Sequence, residues 1–302
     1  MSSILVVGSV ALDSVKTPSG ESREALGGSA VYFSLAARLF SQVHLVGVVG
    51  KDFPQQHKLC LKNRGIDIDG LEVLPGKTFR WSGAYGRNLN SAKTLETKLN
   101  VFETFRPKLS ASHKSVPVAF LANIDPELQW DVLSQMSRPA IVACDTMNFW
   151  ISLKKAALKE LLSRVDVFFV NEEEARKLSG EPNNFRAAKR LSQWGPSVIV
   201  IKKGEHGAML WANNKLYAFP AYPLEDVADP TGAGDSFAGG FFGYVTKTGN
   251  TSWDNLKKAC VAGSVMASFC VEKMGTKRLL SINSSDVNRR LKDFKTLTHF
   301  GI

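Results

Sequence analysis

No stretch of this sequence reaches about 18 consecutive apolar residues, so a membrane-spanning helix is not expected. Apolar segments nevertheless recur throughout, which excludes extensive disorder. Met1 to Gly8 lacks a basic region followed by a long apolar run, so the start does not read as a secretory leader. Cysteine is scarce, with only Cys60, Cys144, Cys260 and Cys270. None forms a CxxC, and no histidine pairs with them at zinc spacing; reduced thiols and a cytoplasmic location are expected. His44, His57, His113, His206 and His299 are scattered and make no ligand pattern. No GxGxxG follows a strand, which removes the dinucleotide fingerprint, and no GxSxG supplies a nucleophile elbow. Gly70 to Thr78 ends in Gly76-Lys77-Thr78 but has five residues between its glycines where a P-loop has four. Pro75-Gly76 there reads as a turn.

What is present is an ordinary globular balance: 302 residues, 44% hydrophobic and 22% charged. That length favours one large domain, residues 1–302, with an appendage. The 38 basic and 28 acidic residues leave a net charge of +10. Basic residues are spread along the chain, with only Lys202-Lys203, Lys257-Lys258 and Arg289-Arg290 as tight pairs. A solvated basic surface is the reading; an anionic small molecule is the expected partner, and neither nucleic acid nor a membrane is.

Short apolar runs alternate with amphipathic segments. Strands are expected at Ile4 to Gly8, Val43 to Val49, Val118 to Ala122, Ala140 to Asp145, Val165 to Val170 and Val198 to Lys202. Helices are expected at Ser29 to Phe40, Asp52 to Arg64 with Asp52 as cap, Pro126 to Met136, Ile151 to Ser163, Glu172 to Ser179 and Asn184 to Trp194. Such alternation predicts a mostly parallel sheet covered on both faces, a three-layer αβα sandwich of the α/β class. Ala208 to Trp211 and Lys215 to Phe219 flank Asn213-Asn214, an edge hairpin. Three helices close the chain near Ala233 to Thr246, Trp253 to Val271 and Ser284 to Phe294. Gly70 to Phe105 breaks the rhythm: Leu71 to Leu74, Thr78 to Tyr85 and Thr94 to Phe102 read as strands of a small antiparallel sheet. Phe79, Trp81 and Tyr85 share one face, which needs cover from the substrate, the main domain or a second copy of the chain.

The strongest motif is Asp229-Pro230-Thr231-Gly232-Ala233-Gly234-Asp235, a Gly-rich turn running into a helix of small and apolar residues. The N–H groups of Gly232, Ala233 and Gly234 can point one way at that helix start, an anion site assisted by the helix dipole. Asp235 beside it suits a base that accepts a proton from a hydroxyl attacking a phosphoryl group.

This stretch resembles the C-terminal signature of the ribokinase, or PfkB, family of carbohydrate and nucleoside kinases, and covers every position of the D-x-T-G-A-G-D core. The resemblance extends over almost the whole chain. Asp13 resembles the family's sugar-binding acid after the first strand. Gly27-Gly28 resembles its di-glycine, and Asn171 with Glu174 its N-x-x-E element. Gly204 to Gly207 resembles the glycine turn before the edge hairpin. Ala259 to Val271, with Gly275 after it, resembles the part that walls the adenine. The resemblance implies a ribokinase-like fold with a β lid built from about residues 13–24 and 70–105. It implies ATP bound across Asn171, Gly204, Gly207, Gly232, Gly234 and Gly275, and substrate between Asp13, Gly27, Gly28 and Asp235; Lys202, where the family often has Thr, departs from the pattern and can either reach the nucleotide phosphates or point to solvent, and Asn123 is added on the substrate side from its strand-end position. Mg²⁺ would be organised through water by Glu174, and Asp229 and Thr231 would contribute to a site for a monovalent cation such as K⁺.

The family's sugar-specific members carry an Asn soon after the di-glycine; here Ser29-Ala30-Val31-Tyr32-Phe33 has none. Tyr32 or Phe33 occupies that neighbourhood, and an aromatic there can stack on a substrate ring. Asn123 and Asp145, each at a strand end, are substrate-side polar candidates. The function implied is ATP-dependent phosphorylation of a hydroxyl on a small sugar or polyol. A nucleoside kinase is the alternative, and a non-catalytic nucleotide- or sugar-binding regulator is the rival from another class. A homodimer joined through the lids is the assembly in which the aromatic face is covered by a second copy.

Overall fold

The structure, a computed structural model, describes Ser3 to His299, so Met1 and Ser2 of the segment read for a leader lie outside the described residues. In chain order its first half contains β1 (Ser3–Val7), β2 (Ala11–Thr17), β3 (Gly20–Gly27), α1 (Ser29–Ala37), β4 (Gln42–Gly50), α2 (Gln55–Asn63), β5 (Ile66–Leu74), β6 (Phe79–Tyr85) and β7 (Ala92–Lys98). Then come α3 (Ala111–Lys114), β8 (Val118–Leu121), α4 (Pro126–Gln135), β9 (Ile141–Asp145), α5 (Asn148–Leu153), α6 (Lys155–Leu162), β10 (Val167–Asn171), α7 (Glu172–Ser179) and α8 (Asn184–Ser192). The chain ends with β11 (Val198–Lys202), β12 (Ala208–Ala212), β13 (Lys215–Phe219), α9 (Ala233–Thr248), α10 (Trp253–Val271), α11 (Lys277–Ser281) and α12 (Ser284–Thr298).

The main sheet has the order β13-β12-β11-β10-β9-β8-β1-β4-β5. From β5 to β11 every pairing is parallel. The strands are continuous Val/Ile/Leu/Phe runs because both faces are covered. One core joins alternate strand residues such as Ile4, Phe120 and Phe169 to α1, α9, α10 and α12. The other joins Leu5, Leu121 and Phe168 to α4, α6, α7 and α8. The hairpin β12–β13 is antiparallel, and Asn213 and Asn214 take left-handed φ of 53° and 57°, as its two-residue turn requires.

The second sheet has the order β3-β2-β6-β7. Two of its pairings are antiparallel, β2–β3 and β6–β7; the central one, β2–β6, is parallel, which the strand patterns did not reveal. Leu71 to Leu74, expected in this lid, instead belongs to β5 at the edge of the main sheet. Buried Ile66 and Ile68 at the start of β5 anchor it there. Thr94 to Phe102 is also not one strand: β7 stops at Lys98 and a short 3-10 turn, Asn100–Phe102, follows. Phe102 stacks on Phe79 and Phe105, so part of the lid's aromatic face is covered by the chain's own return to the main domain.

Two helix readings are corrected. Asp52 does not cap α2, which begins after Pro54; its Oδ1 accepts both the N–H and the hydroxyl of Thr78 at 2.7 Å, and its Oδ2 pairs with Arg80. Thr78 is thereby buried as a joint between main sheet and lid, and the near P-loop is a strand plus a turn. The helix expected over Ile151 to Ser163 breaks at Lys154, whose ammonium pairs with Asp125 and Glu127. Among the described residues no helix is long and apolar enough to cross a membrane, and all four cysteines are free thiols.

Helix α9 lies against α1 through glycine. A Cβ on Gly239 would overlap the Phe33 carbonyl oxygen, whereas one on Gly243 would stand 3.1 Å from Ala37 backbone atoms. Overpacking against rigid backbone costs about 1–3 kcal/mol. Gly239→Ala is therefore expected to lower the urea midpoint by that equivalent. Gly243→Ala should change stability by less than about 1 kcal/mol, because helix propensity offsets the milder crowding.

Candidate active site

The C-terminal ends of the parallel strands converge where open α/β sheets bind ligands. After β1 the chain turns through Gly8 and Ser9. Ser9 and Ser29 exchange hydrogen bonds, Ser29 N–H donating to Ser9 Oγ at 3.0 Å, which fixes the start of α1 beside that turn. Asp13 on β2 accepts from the Gly28 N–H at 3.2 Å. A Cβ on Gly27 would collide with that carboxylate, and Gly28 has φ 96° with the Ser9 carbonyl packed against it, so the first glycine is required by the approach of Asp13 and the second by its own backbone turn against Ser9. Burial pushes the Asp13 carboxyl up to about 7; the Gly28 N–H pulls it down, and Asp235 and Asp229 push it further up.

Opposite stands the Gly-rich turn. Gly232 is the N-cap of α9, with φ 76°, and its Cα lies so close under the Tyr32 ring that any Cβ would overlap it. The Ala233 N–H, expected to face an anion, instead donates to the Pro230 carbonyl at 3.2 Å. The N–H groups of Gly232, Gly234 and Asp235 have no protein acceptor among the described residues. The free amide cluster is thus displaced by one residue from the sequence reading. Burial raises the Asp235 carboxyl to about 6, opposed by Lys202. The Lys202 ammonium reaches over the turn, 2.8 Å from where a Cβ of Gly234 would be.

Asp229 is only 1% exposed and acts as a staple. Its Oδ1 accepts the Thr231 N–H at 2.9 Å and its Oδ2 the Gly275 N–H at 2.8 Å. The Gly275 amide therefore closes the loop after α10 onto the turn. Each Asp229 oxygen and the Thr231 hydroxyl keep acceptor capacity, which fits a cation at that joint. Asn171 caps α7 and Glu174 returns the bond, Glu174 N–H to Asn171 Oδ1 at 2.8 Å and Asn171 N–H to Glu174 Oε2 at 2.7 Å. One Glu174 oxygen remains free of protein donors, and burial raises that carboxyl, opposed by Lys202.

Three side chains that lie outside the motifs, but whose positions the sequence had marked, also reach this end of the sheet. Asp145, 3% exposed at the end of β9, leaves Oδ1 without a hydrogen-bond partner; burial raises it well above the carboxylate range, and Asp235 adds to this. The Tyr32 hydroxyl, in α1 and 1% exposed, is also unpartnered. Tyr85 reaches from the lid, and its hydroxyl meets the Thr231 hydroxyl at 3.3 Å. Asn123 Oδ1, Thr146 Oγ1 and Ser236 Oγ are likewise orphaned here. A gathering of unsatisfied polar atoms at one end of the sheet is the mark of a site built for a ligand. The sequence reading singled out Asp145 and Tyr32 by their positions at a strand end and one turn past the di-glycine, but not the burial of the one or the unpartnered hydroxyl of the other.

A cleft runs on from the turn, lined by Lys202, Gly204, Gly207, Gly234, Phe237 and the Ser264–Ala267–Ser268 face of α10. The small residues of α10 divide in two: Ala262 and Gly263 receive α9 at Gly240 and Phe237, and Ser264, Ala267 and Ser268 wall the cleft. Arg87 to Asn90, the tip of the lid, roofs it. Asn90 Nδ2 donates to Glu205 Oε1 at 3.0 Å, and the Asn90 side chain packs onto Gly204. Gly275 does not line this cleft; it sits against Ala25 of β3, where a Cβ would be 3.5 Å from the alanine methyl.

Phosphoryl transfer to a hydroxyl needs a proton acceptor, donors for the moving charge and exclusion of water, and the chain is a phosphotransferase of that class. The pfkB family carbohydrate kinase profile matches residues 1–283, and the chain belongs to that family. A cytidine kinase of Thermococcus kodakarensis is 31% identical over 250 residues, covering 81% of this chain and 89% of that protein. A nucleoside kinase of Methanocaldococcus jannaschii is 25% identical over 91% of this chain and 92% of its own. Among solved structures, a Burkholderia thailandensis nucleoside kinase in complex with inosine shares the fold at TM-score 0.80 and 19% identity, over 99% of this chain and 100% of that one.

The Asp13 shift has a stability consequence. The folded carboxyl keeps its proton to about pH 7, whereas the ordinary value is 3.8, so between those limits the folded state binds the extra proton and stability falls as pH rises. Asp13→Asn removes this burden while keeping an acceptor for Gly28. Its thermal midpoint should exceed wild type at pH 8 by the equivalent of at most about 4 kcal/mol, with the gain vanishing towards pH 4.

Proposed function

We propose that the chain is an ATP-dependent kinase that phosphorylates a hydroxyl of a nucleoside. The observation that carries this is on the lid. β2 and β6 pair in parallel register with Asp13 opposite Trp81, so a hydroxyl-reading carboxylate and a half-buried indole share one face of the lid sheet, the face from which Tyr85 meets Thr231. A ribose bound at Asp13 would leave its base within reach of the Trp81 ring, where stacking rewards a flat heterocycle and gives a plain sugar nothing. The relatives that cover most of this chain carry the names cytidine kinase and nucleoside kinase, which supports the same choice over a sugar or polyol.

In this reading Asp235 takes the hydroxyl proton, and the amides of Gly232, Gly234 and Asp235 with Lys202 receive the charge of the transferring phosphoryl group. The adenine and ribose of ATP occupy the cleft between Gly204, Gly207 and the Ser264–Ser268 face of α10. Glu174 and Asp145 carry the free carboxylate oxygens suited to Mg²⁺, with Glu174 acting through water, and the cation supplies charge neutralisation for the phosphates. Asp229 and Thr231 are the donors for a monovalent cation such as K⁺. A homodimer through the lids remains part of the proposal, since β7 is exposed along its whole length.

The test is ATP consumption across nucleosides, pentoses, hexoses and inositols. Turnover on nucleosides alone is expected, with kcat/KM falling as pH drops through about 6, where Asp235 gains its proton. Turnover confined to sugars or inositols overturns the nucleoside reading. Asp235→Asn should lower kcat at least about a hundredfold with nucleotide affinity little changed, and near-normal turnover would remove it from the chemistry. Trp81→Ala should raise nucleoside KM with kcat nearly kept; an unchanged KM would sink the stacking role.

A further inference from the structure

Two histidines that looked unrelated in the sequence meet at the far end of the sheet. His44 is near the start of β4, Asp67 near the start of β5, and His113 in α3, which leads into β8. These strands run parallel, so the three lie at the end opposite the catalytic cleft. The pairing of β4 with β5 places His44 across from Asp67, and their side chains meet at 2.7 Å from Nδ1 to Oδ2. The His113 ring stands edge-on to the His44 ring, centroids 5.8 Å apart. One donor atom from each of the three residues lies within 4.8 Å of the others, the one such group of histidine, cysteine or carboxylate side chains among the described residues.

We propose that His44, Asp67 and His113 bind one transition-metal dication of the zinc class. Two imidazoles and one carboxylate are the donor set of borderline metals such as Zn²⁺ or Co²⁺, not of Mg²⁺ or Ca²⁺, which prefer all-oxygen sites. Three protein ligands leave a fourth tetrahedral position, and the half-exposed side chains of His44 and Asp67, 18% and 28%, open it to water.

The surroundings are arranged as a metal site needs. Between His44 and Val46 the partner strand advances from Asp67 to Gly70, one residue more than a regular ladder allows. That bulge re-aims the Asp67 carboxylate, the usual use of a bulge. Its second oxygen, Oδ1, is fixed by the Asp69 N–H at 2.8 Å, an outer-shell bond that orients a ligating carboxylate. Gly70 makes the space: a Cβ there would stand 3.0 Å from His113 Cε1 and closer still to Val46. A bound ion would join the edge strand β5 and the α3 turn to β4, so its effect is on stability and not on phosphoryl transfer.

The experiment titrates metal-stripped full-length protein with ZnCl₂ against a chromophoric chelator, and with CoCl₂ by visible absorption, in wild type, Asp67→Asn and His44→Gln. Wild type should take up one equivalent of zinc, give the cobalt bands of four-coordination and gain thermal stability with ZnCl₂. Each variant should bind at least about tenfold more weakly and lose the bands, with kinase turnover unchanged to show that it folds. No uptake by wild type, or equal affinity in all three proteins, overturns the assignment, the latter by placing the metal at other side chains such as Cys60 or the catalytic acids.

Discussion

The site depends on the close approach of two helices. α1 and α9 begin at Gly28 and Gly232, and each beginning needs a left-handed glycine. They touch through residues with no room for a side chain: Gly232 beneath Tyr32, Gly239 against Phe33, Gly243 against Ala37. Because interiors are close-packed and stiff, this contact sets how far the Asp13–Gly28 bond stands from the free amides of the Gly-rich turn. Asp13 and the Gly-rich turn are therefore held by one packed seam and not by flexible loops.

That seam gathers charge at a cost. Asp13, Asp145 and Glu174 are buried and Asp235 half-buried at the same end of the sheet, and each carboxyl is raised. Lys202 is the cation that recurs among their neighbours, pulling three of them down. Stability is spent here to keep acids and unpartnered hydroxyls ready for a ligand, as expected where a local rule is broken at a functional place.

Much of this was legible because it is local. Asp229 to Asp235, Gly27-Gly28 and the Asn171–Glu174 capping box are contiguous or one helical turn apart, and residue type alone dictates their backbone behaviour. The alternation of strands and helices was equally readable, since strands buried on both faces are unbroken apolar runs. What sequence could not show was pairing at a distance. Leu71 to Leu74 has the same pattern whether it joins the lid or the main sheet, and the parallel pairing of β2 with β6 leaves no trace in either strand. Tyr32 was legible as an aromatic near the substrate but not in its role, because its ring is packed in the core and only its hydroxyl is left unpartnered. His44 and His113 looked scattered because the contact between them is made by the sheet.

The lid tip reaches further than its sheet. The β6–β7 connection does not stop above the acceptor side; Asn90 rests on Gly204 and holds Glu205. Tyr85, five residues earlier on the same hairpin, touches Thr231 at the Gly-rich turn. One hairpin thus spans both halves of the cleft. On the kinase reading proposed above, departure of the phosphorylated molecule and exchange of the spent nucleotide would both need this hairpin to move, so a mutation that stiffens it is expected to slow both exits together.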